Sequence, residues 1–491
     1  MRVAISDLMD SSGVRFGTSG VRGLASEMTD LVCYAVTVAF LRHLAREGEL
    51  SERDRRFAIG GDLRPSTERI LEAIAAAALD EGRTPVYCGR LPSPALALWG
   101  IRERVPSAMV TGSHIPEDRN GIKYAKPGGE VLKSDEEAIR AEVVEVPDRF
   151  GANGALRERP VLGPADPAAR DAYGARWLRG FPRGFLRGFR LGFYEHSSAG
   201  RDLLPEVYAA LGADVVRWGR SDRFVPVDTE ALRAEDVELA RAWAAENRAD
   251  AILSADGDAD RPLVADERGR WLRGDVAGIL CARYLGAEVV VAPVSCNTAL
   301  ERSGWFREVR RTRIGSPYVV EEMLRAAAAG RSPVVGYEAN GGFLTATPIS
   351  APGGILEPLP TRDAAIVHLA LIGLSKREKK PISALLDGLP RRHTASDRAA
   401  PFPQEEARAR IAALSRGGRR AVEESFPELG AVASIDETDG LRATFSGGEI
   451  LHLRPSGNAP ECRVYAEADS EARAREIVRV GLRVVESWRA R

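Results

Sequence analysis

Short apolar runs alternating with amphipathic stretches restrict this chain to one broad architecture. Phe57-Ala58-Ile59-Gly60 is an apolar run that ends in Gly-Asp, as a strand passing into a loop does. The Ala-rich stretch 66–79 places apolar residues at 70, 71, 74, 75 and 78, the spacing of one helix face. Pro85-Val86-Tyr87-Cys88-Gly89 reads as the next strand. Strand, helix and strand at this spacing form βαβ units, and the crossover helix makes their strands parallel. The pattern returns as a strand at 191–194, a helix over 202–211 and a strand at 214–217. It returns again as a strand at 288–292, a helix over 297–303 and a strand near 308–312. An α/β fold of three similar mixed-sheet units is predicted.

The last stretch of the chain differs. A helix over 404–415, strands at 441–446, 449–454 and 462–467, and a helix over 469–487 make a smaller α+β unit, with Ser446-Gly447-Gly448-Glu449 as a hairpin turn. Two polar stretches rich in Pro and Gly, 147–167 and 377–403, read as linkers. The expected division is therefore 1–155, 165–265, 266–385 and 395–491. A chain of 491 residues is long enough for this, at a soft prior of ~150 residues per domain.

Composition excludes several function classes. The net charge is −1, so no global field draws in nucleic acid or an anionic membrane, and neither partner is expected. An anionic ligand must be caught by local clusters. The one basic segment, 179–190, alternates Arg, Gly and Phe and reads as a surface loop entering a strand. The five cysteines are scattered without metal-type or disulfide-type spacing. No apolar signal segment or membrane-length run is visible, so a cytoplasmic protein is expected.

The strongest chemical motif is Asp256-Gly257-Asp258-Ala259-Asp260-Arg261, directly after the apolar run Ala251-Ile252-Leu253-Ser254. Ligand sites of α/β sheets collect at such strand ends. Carboxylates at i, i+2 and i+4 with small residues between them can converge on one hard cation, and Arg261 alone does not offset three charges. Glu267 stands at the twelfth position of an EF-hand register, but Arg261 occupies the place where that loop needs Gly, Pro262 follows, and a strand precedes.

The second motif, Thr111-Gly112-Ser113-His114-Ile115-Pro116, also follows an apolar run and exposes a hydroxyl on a backbone that small residues let a ligand approach. A phosphate on that serine would be a fourth ligand for the metal. Lys123 lies just downstream and is suited to moving a proton to or from a sugar hydroxyl. Lysine is rare here: six among 69 basic residues, three of them at 123, 126 and 133. The third motif, Arg454-Pro455-Ser456-Gly457-Asn458-Ala459-Pro460, combines a bidentate cation, a hydroxyl, an amide and free backbone N–H groups into a phosphate cradle, with Arg463 nearby. In the fourth, Gly336-Tyr337-Glu338-Ala339-Asn340-Gly341-Gly342, the carboxylate and amide suit vicinal sugar hydroxyls. Phe16-Gly17-Thr18-Ser19-Gly20-Val21-Arg22-Gly23 is Gly-rich, offers Arg22 to an anion and lacks the lysine of a P-loop.

Taken in order and spacing, these five segments resemble the α-D-phosphohexomutase superfamily, and within it the phosphomannomutase and phosphoglucomutase group. The resemblance implies four domains around a deep central cleft. It implies that Ser113 is a phosphoserine, with Lys123, Arg22 and His114 as the other catalytic residues. It also implies that Asp256, Asp258 and Asp260, together with Ser113, hold Mg²⁺. Arg261, Glu338, Asn340, Arg454, Ser456, Gly457, Asn458 and Arg463 are the substrate-binding residues that follow from it. The expected reaction interconverts a hexose 6-phosphate and a hexose 1-phosphate, mannose foremost, through a bound 1,6-bisphosphate. A glucose-specific or dual-specificity mutase, or an inactive sugar-phosphate-binding protein, is the alternative.

The sequence departs from the family pattern in four places. Ile115 stands where Asn is common, Ala259 where the middle Gly of the metal loop is, Asn458 where Thr is usual, and Asn340-Gly341-Gly342 where many relatives have Ser-Gly-His. The last change moves the question from the phosphoryl shuttle to the sugar.

Overall fold

The computed structural model describes residues 1–17, 20–456 and 460–490. Three sheets repeat one strand order. In the first, Arg56–Gly61 lies between Thr84–Arg90 and Ser107–Val110, parallel to both, and Arg119–Lys126 then pairs antiparallel with Ser107–Val110. In the second, Arg190–His196 lies between Asp214–Arg220 and Ala251–Ala255, parallel to both, with Pro262–Ala265 antiparallel beyond. In the third, Val289–Pro293 lies between Glu308–Thr312 and Val334–Tyr337, again parallel, with Phe343–Thr345 antiparallel beyond. Helices such as Thr67–Asp80, Leu203–Ala210 and Ser316–Ala328 make the crossovers.

This repeat fixes where the motifs fall. In each unit the loop between the third parallel strand and the antiparallel strand carries one of them: 111–118, 256–261 and 338–342. An antiparallel return needs only a short connection. The three loops therefore stay tight and leave the sheets at equivalent carboxyl ends.

One apolar core runs through all three units. It holds Leu96 and Trp99 of the first, Leu191 and Phe193 of the second, and Leu280, Tyr337 and Leu371 of the third. The helix Ala168–Gly180 lies in this core and continues as an aromatic ladder, Tyr173, Trp177, Phe181 and Phe185. In the basic segment the phenylalanines at 181 and 185 are thus buried, while Arg183 and Arg187 are exposed. The third ring, Phe189, is half-buried against the same core, so the segment does not present a row of exposed rings.

The fourth unit has its own core and an antiparallel sheet. Here the sequence reading is corrected. The stretch 377–403, read as a linker, contains the strand His393–Ala399, which pairs antiparallel with Cys462–Ala468 over its whole length. Alternation there is masked by polar residues on a strand that is largely exposed on both faces. The expected helix over 404–415 runs on as Gln404–Ser425, broken by Gly418 at φ 63°. The expected helix over 297–303 shrinks to Ala299–Arg302. All five cysteines are free and buried. Among the described residues no helix is long and apolar enough to cross a membrane.

Three histidines, His196, His368 and His452, are buried, and burial pushes each down to about 4. They are neutral in the folded chain, whereas an unfolded histidine titrates near ~6.5. Folding therefore excludes a proton from each between these values. Their contribution to stability is complete above the unfolded value and is lost as the pH falls toward 4. His368 accepts or shares the Tyr208 hydroxyl through Nδ1 at 2.6 Å. In His368→Asn, the unfolding free energy followed by urea titration between pH 6.5 and 4 is expected to change less steeply, by one proton or about 1.4 kcal/mol per pH unit. An unchanged slope would mean that His368 is charged in the fold.

Candidate active site

Ser113 sits in the left-handed region at φ 55°, a conformation that costs a non-glycine residue free energy and persists only where surroundings impose it. Those surroundings are visible. Thr111 Oγ accepts the Ser113 N–H at 2.8 Å and donates to Asp62 Oδ2 at 2.7 Å. Arg64, 1% exposed, donates to four carbonyls of this loop: Ser113 at 3.0 Å, Ile115 at 2.5 Å, Pro116 at 2.5 Å and Arg119 at 2.9 Å. Its Nε pairs with Asp62 at 3.2 Å, and its guanidinium lies 3.9 Å over the Phe224 ring. Burial raises Asp62 and lowers Arg64, and for each the other is the first offset. A Cβ on Gly112 would lie 2.6 Å from the Arg64 guanidinium carbon, so this position must be glycine.

The loop so held aims the Ser113 hydroxyl out of the first unit into the second. Its Oγ donates to Asp256 Oδ2 at 2.5 Å and lies 3.3 Å from His114 Nδ1. Burial, then the charges of Arg261 and Arg22, keep the His114 imidazole neutral, well below its ordinary value. A Cβ on Gly257 would meet the Ser113 carbonyl oxygen at 2.6 Å, so the acidic loop and the serine loop touch backbone to backbone. Ser93, at the start of the helix Ser93–Glu103, adds a third thread: its N–H donates to the Asp258 carbonyl at 2.9 Å and its hydroxyl to the Asp258 carboxylate.

The acidic triad converges as its spacing predicts. Ligand oxygens of Asp256, Asp258 and Asp260 lie within 4.8 Å of one another, and all three residues are buried. Burial and then the neighbouring Asp258 and Asp260 charges raise Asp256, whereas Arg362, Lys123 and Arg261 outweigh burial and hold Asp260 below the usual carboxylate range. Ala259 takes φ 57°, which explains why a glycine suits that place and shows that alanine can hold it. Lys123, on the antiparallel strand of the first unit, donates to Oδ2 of both Asp258 and Asp260 at 2.6 Å. Oδ1 of both carboxylates is buried without a hydrogen-bond partner. Two buried anionic oxygens without a hydrogen bond, beside a third carboxylate and a serine hydroxyl, are a donor set that fits a hard divalent cation. The other two lysines of the cluster go elsewhere, Lys126 to Glu49 and Asp135, Lys133 to Glu136. Glu267 takes no part, and accepts from Ser383.

The sugar-loop candidates reach the same place from the third unit. Arg362 donates from Nε to Asp260 Oδ2 at 3.0 Å and from Nη1 to Glu338 Oε2 at 3.0 Å. Thr229 of the second unit donates to the Asn340 carbonyl at 2.9 Å. Arg22 stands beside this centre, pushed down to about 10 by desolvation and then by Arg261 and Arg362. Arg261 Nε lies 3.9 Å from Asp256 and 3.8 Å from Asp260, without a hydrogen-bond partner.

Arg454 and Arg463 are cross-strand neighbours in the fourth unit. Arg454 pairs with Asp439 at 2.9 Å, and with Ser456, Arg313 and Arg408 it lines a separate cavity of about 290 Å³. No hydrogen bond or ion pair among the described residues joins it to Ser113 or the triad. Arg463 pairs with Glu461 at 3.6 Å. Gly457 and Asn458, and the flanking Ala459, lie outside the described residues, as do Thr18 and Ser19 of the first Gly-rich segment.

Most of the chain is matched by family models, in the same order as its units. Phosphoglucomutase/phosphomannomutase α/β/α domains I, II and III match residues 13–149, 184–269 and 273–393, and the C-terminal domain of that family matches 405–480. A phosphomannomutase of Sinorhizobium fredii (strain NBRC 101917 / NGR234) is 42% identical over 479 residues, 97% of this chain and 99% of that protein. The chain belongs to the phosphoglucomutase/phosphomannomutase family. A phosphomannomutase of Salmonella muenchen is likewise 42% identical, over 98% of this chain and 97% of its own length. A crystal structure of a phosphoglucomutase/phosphomannomutase family protein from Burkholderia thailandensis shares the fold at a TM-score of 0.71 and 18% identity, covering 96% of this chain and 97% of that one. The protein is a phosphohexomutase, an isomerase that transfers a phosphoryl group within its substrate.

Sequence reasoning missed the residues that hold this candidate site together. Asp62 and Arg64 carried one legible signal, since they follow the strand Arg56–Gly61 at its carboxyl end. Ser93 and Arg362 carried none, because their partners are 165 and 102 residues away.

Proposed function

We propose that this mutase interconverts mannose 6-phosphate and mannose 1-phosphate through a phosphorylated Ser113 and a bound hexose 1,6-bisphosphate. One observation carries the reading: Ser113, held in the left-handed conformation, places its Oγ 2.5 Å from Asp256 in a triad that Lys123 also reaches. The relatives at 42% identity, both phosphomannomutases, favour mannose as the sugar.

In this reading Arg454, Ser456, Gly457 and Asn458, with Arg463, hold the phosphate that does not react. Glu338 and Asn340 take the sugar hydroxyls between the two ends. The phosphoryl group passes from Ser113 Oγ to the sugar hydroxyl, and Lys123 accepts the hydroxyl proton. Arg22 and Arg261 offset charge on the phosphoryl oxygens, and neutral His114 orients the serine oxygen. Asp256, Asp258 and Asp260 would hold Mg²⁺ beside Ser113, where a divalent ion supplies charge neutralisation to the transferring phosphoryl group. The bisphosphate then turns over, its other phosphoryl returns to Ser113, and Lys123 gives the proton back. A glucose or dual-specificity mutase is the second reading, favoured by the bare backbone at Gly342, which places no side chain against the sugar.

A coupled assay with mannose 1-phosphate, glucose 1-phosphate and glucosamine 1-phosphate tests the sugar. Mannose 1-phosphate is expected to give the highest kcat/KM, and a higher value for glucosamine 1-phosphate would sink the mannose reading. Excess EDTA is expected to remove turnover and added Mg²⁺ to restore it. Mass spectrometry of the purified protein should find one phosphate, on Ser113.

A further inference from the structure

Residues 342 and 362 exclude one another. Gly342 is outside the left-handed region, so its backbone does not require glycine. Its surroundings do. A Cβ at 342 would lie 2.4 Å from Arg362 Cδ and 2.7 Å from Cγ, closer than non-bonded carbons approach. The stem of the arginine runs over the bare backbone of the sugar-facing loop.

What the arginine does at its far end is equally specific. Its fork takes Asp260 Oδ2 through Nε at 3.0 Å and Nη2 at 2.9 Å, and Glu338 Oε2 through Nη1 at 3.0 Å. One buried cation thus joins a carboxylate of the acidic loop to the carboxylate of the sugar-facing loop. Its neighbours in the chain are pinned on both sides. Thr361 donates to Glu130 Oε1 of the first unit at 2.7 Å. Asp363 accepts the Tyr173 hydroxyl at 2.7 Å and the Ala365 N–H at 2.9 Å, which caps the following helix. Arg362 therefore projects from a point fixed to the first unit, to the helix Ala168–Gly180 and to its own sheet. A planar fork held in this way transmits distance as well as charge, which a single ammonium does not.

We propose that Arg362 is a positioning residue that holds Glu338 and Asp260 in register, so that one rigid group sets the spacing between the sugar end and the phosphoryl-transfer end of the cleft, and that residue 342 is glycine to admit it. The inference rests on the reading of Glu338 as a sugar-binding residue and of Asp260 as a metal ligand.

Arg362→Lys keeps the charge and loses the fork. It is expected to raise KM for the preferred hexose 1-phosphate and to weaken Mg²⁺ binding, measured by isothermal titration of the full-length protein with Mg²⁺ alone, each by ~10–100-fold, the range for outer-sphere partners of a metal site. The simultaneous loss of both is the mark of a bridge. A merely structural arginine would lower the melting temperature and leave both constants of the folded protein unchanged, which would overturn the proposal. Gly342→Ala should reproduce the Arg362→Lys losses, and adding it to Arg362→Ala should cost nothing further. If the Gly342→Ala loss persisted undiminished in the Arg362→Ala background, the mutual exclusion would be wrong. Should the wild type turn over none of the three hexose 1-phosphates, the functional reading fails, whereas the Mg²⁺ titration still decides whether Arg362 positions Asp260.

Discussion

Ser113→Ala is expected to reduce mutase turnover by at least ~10⁴-fold, on the scale seen when a nucleophile is removed from a group that acts as a unit. The folded chain should survive it. The hydroxyl makes two hydrogen bonds within the protein, a short one to Asp256 and a longer one to His114, and the loop conformation is imposed by Thr111 and Arg64, not by the serine side chain. Loss of these bonds costs ~1 kcal/mol each. The measurement is kcat with a saturating 1,6-bisphosphate activator beside a thermal melt. Retention of even a few per cent of wild-type turnover in a folded variant would remove Ser113 from the reaction.

The second large effect belongs to a residue that touches no substrate in the reading above. Arg64→Met removes a buried cation that satisfies four loop carbonyls and pairs with Asp62. Taking one partner from a buried pair costs ~3–5 kcal/mol, because the other is left charged and unmatched. With Arg64 gone, Ser113 keeps the Thr111 hydrogen bond but loses the four carbonyl contacts that hold its loop at φ 55°. A displacement of ~1 Å at a reacting atom costs ~10²-fold in rate. We therefore expect a fall in kcat of that order with KM for the hexose phosphate nearly unchanged, together with a lower thermal midpoint. A variant that melts early yet keeps wild-type kcat when folded would make Arg64 a stability residue only.

The contrast between Ser113 and Arg64 shows what a sequence discloses and what it withholds. The acidic loop was legible because its logic is local: three carboxylates at alternate positions after an apolar run meet at one point wherever the loop goes. The three α/β units were legible because periodicity is local too. The strand His393–Ala399 was not, since it is largely exposed and its partner, Cys462–Ala468, follows only after a long helix and three other strands. Arg64 and Arg362 were hidden among 69 basic residues of which only six are lysine, so no arginine stood out by its rarity. Lys123 stood out for the opposite reason, and its two carboxylate partners are both in the acidic loop. Residues that bear chemistry announce themselves by pattern. Residues that hold them in place are chosen by geometry across sheets, and a linear string does not contain that geometry.

The contact between Gly342 and Arg362 also imposes an order on how this lineage can vary. While the arginine is present, any side chain at 342 meets its stem. A residue at 342 can be gained only after 362 has shortened, and the reverse exchange must begin with the return of glycine. The two positions then fix the order of exchange in either direction. Relatives with a side chain at the place of 342 are expected to carry a short residue at the place of 362, whatever the rest of their loop has become.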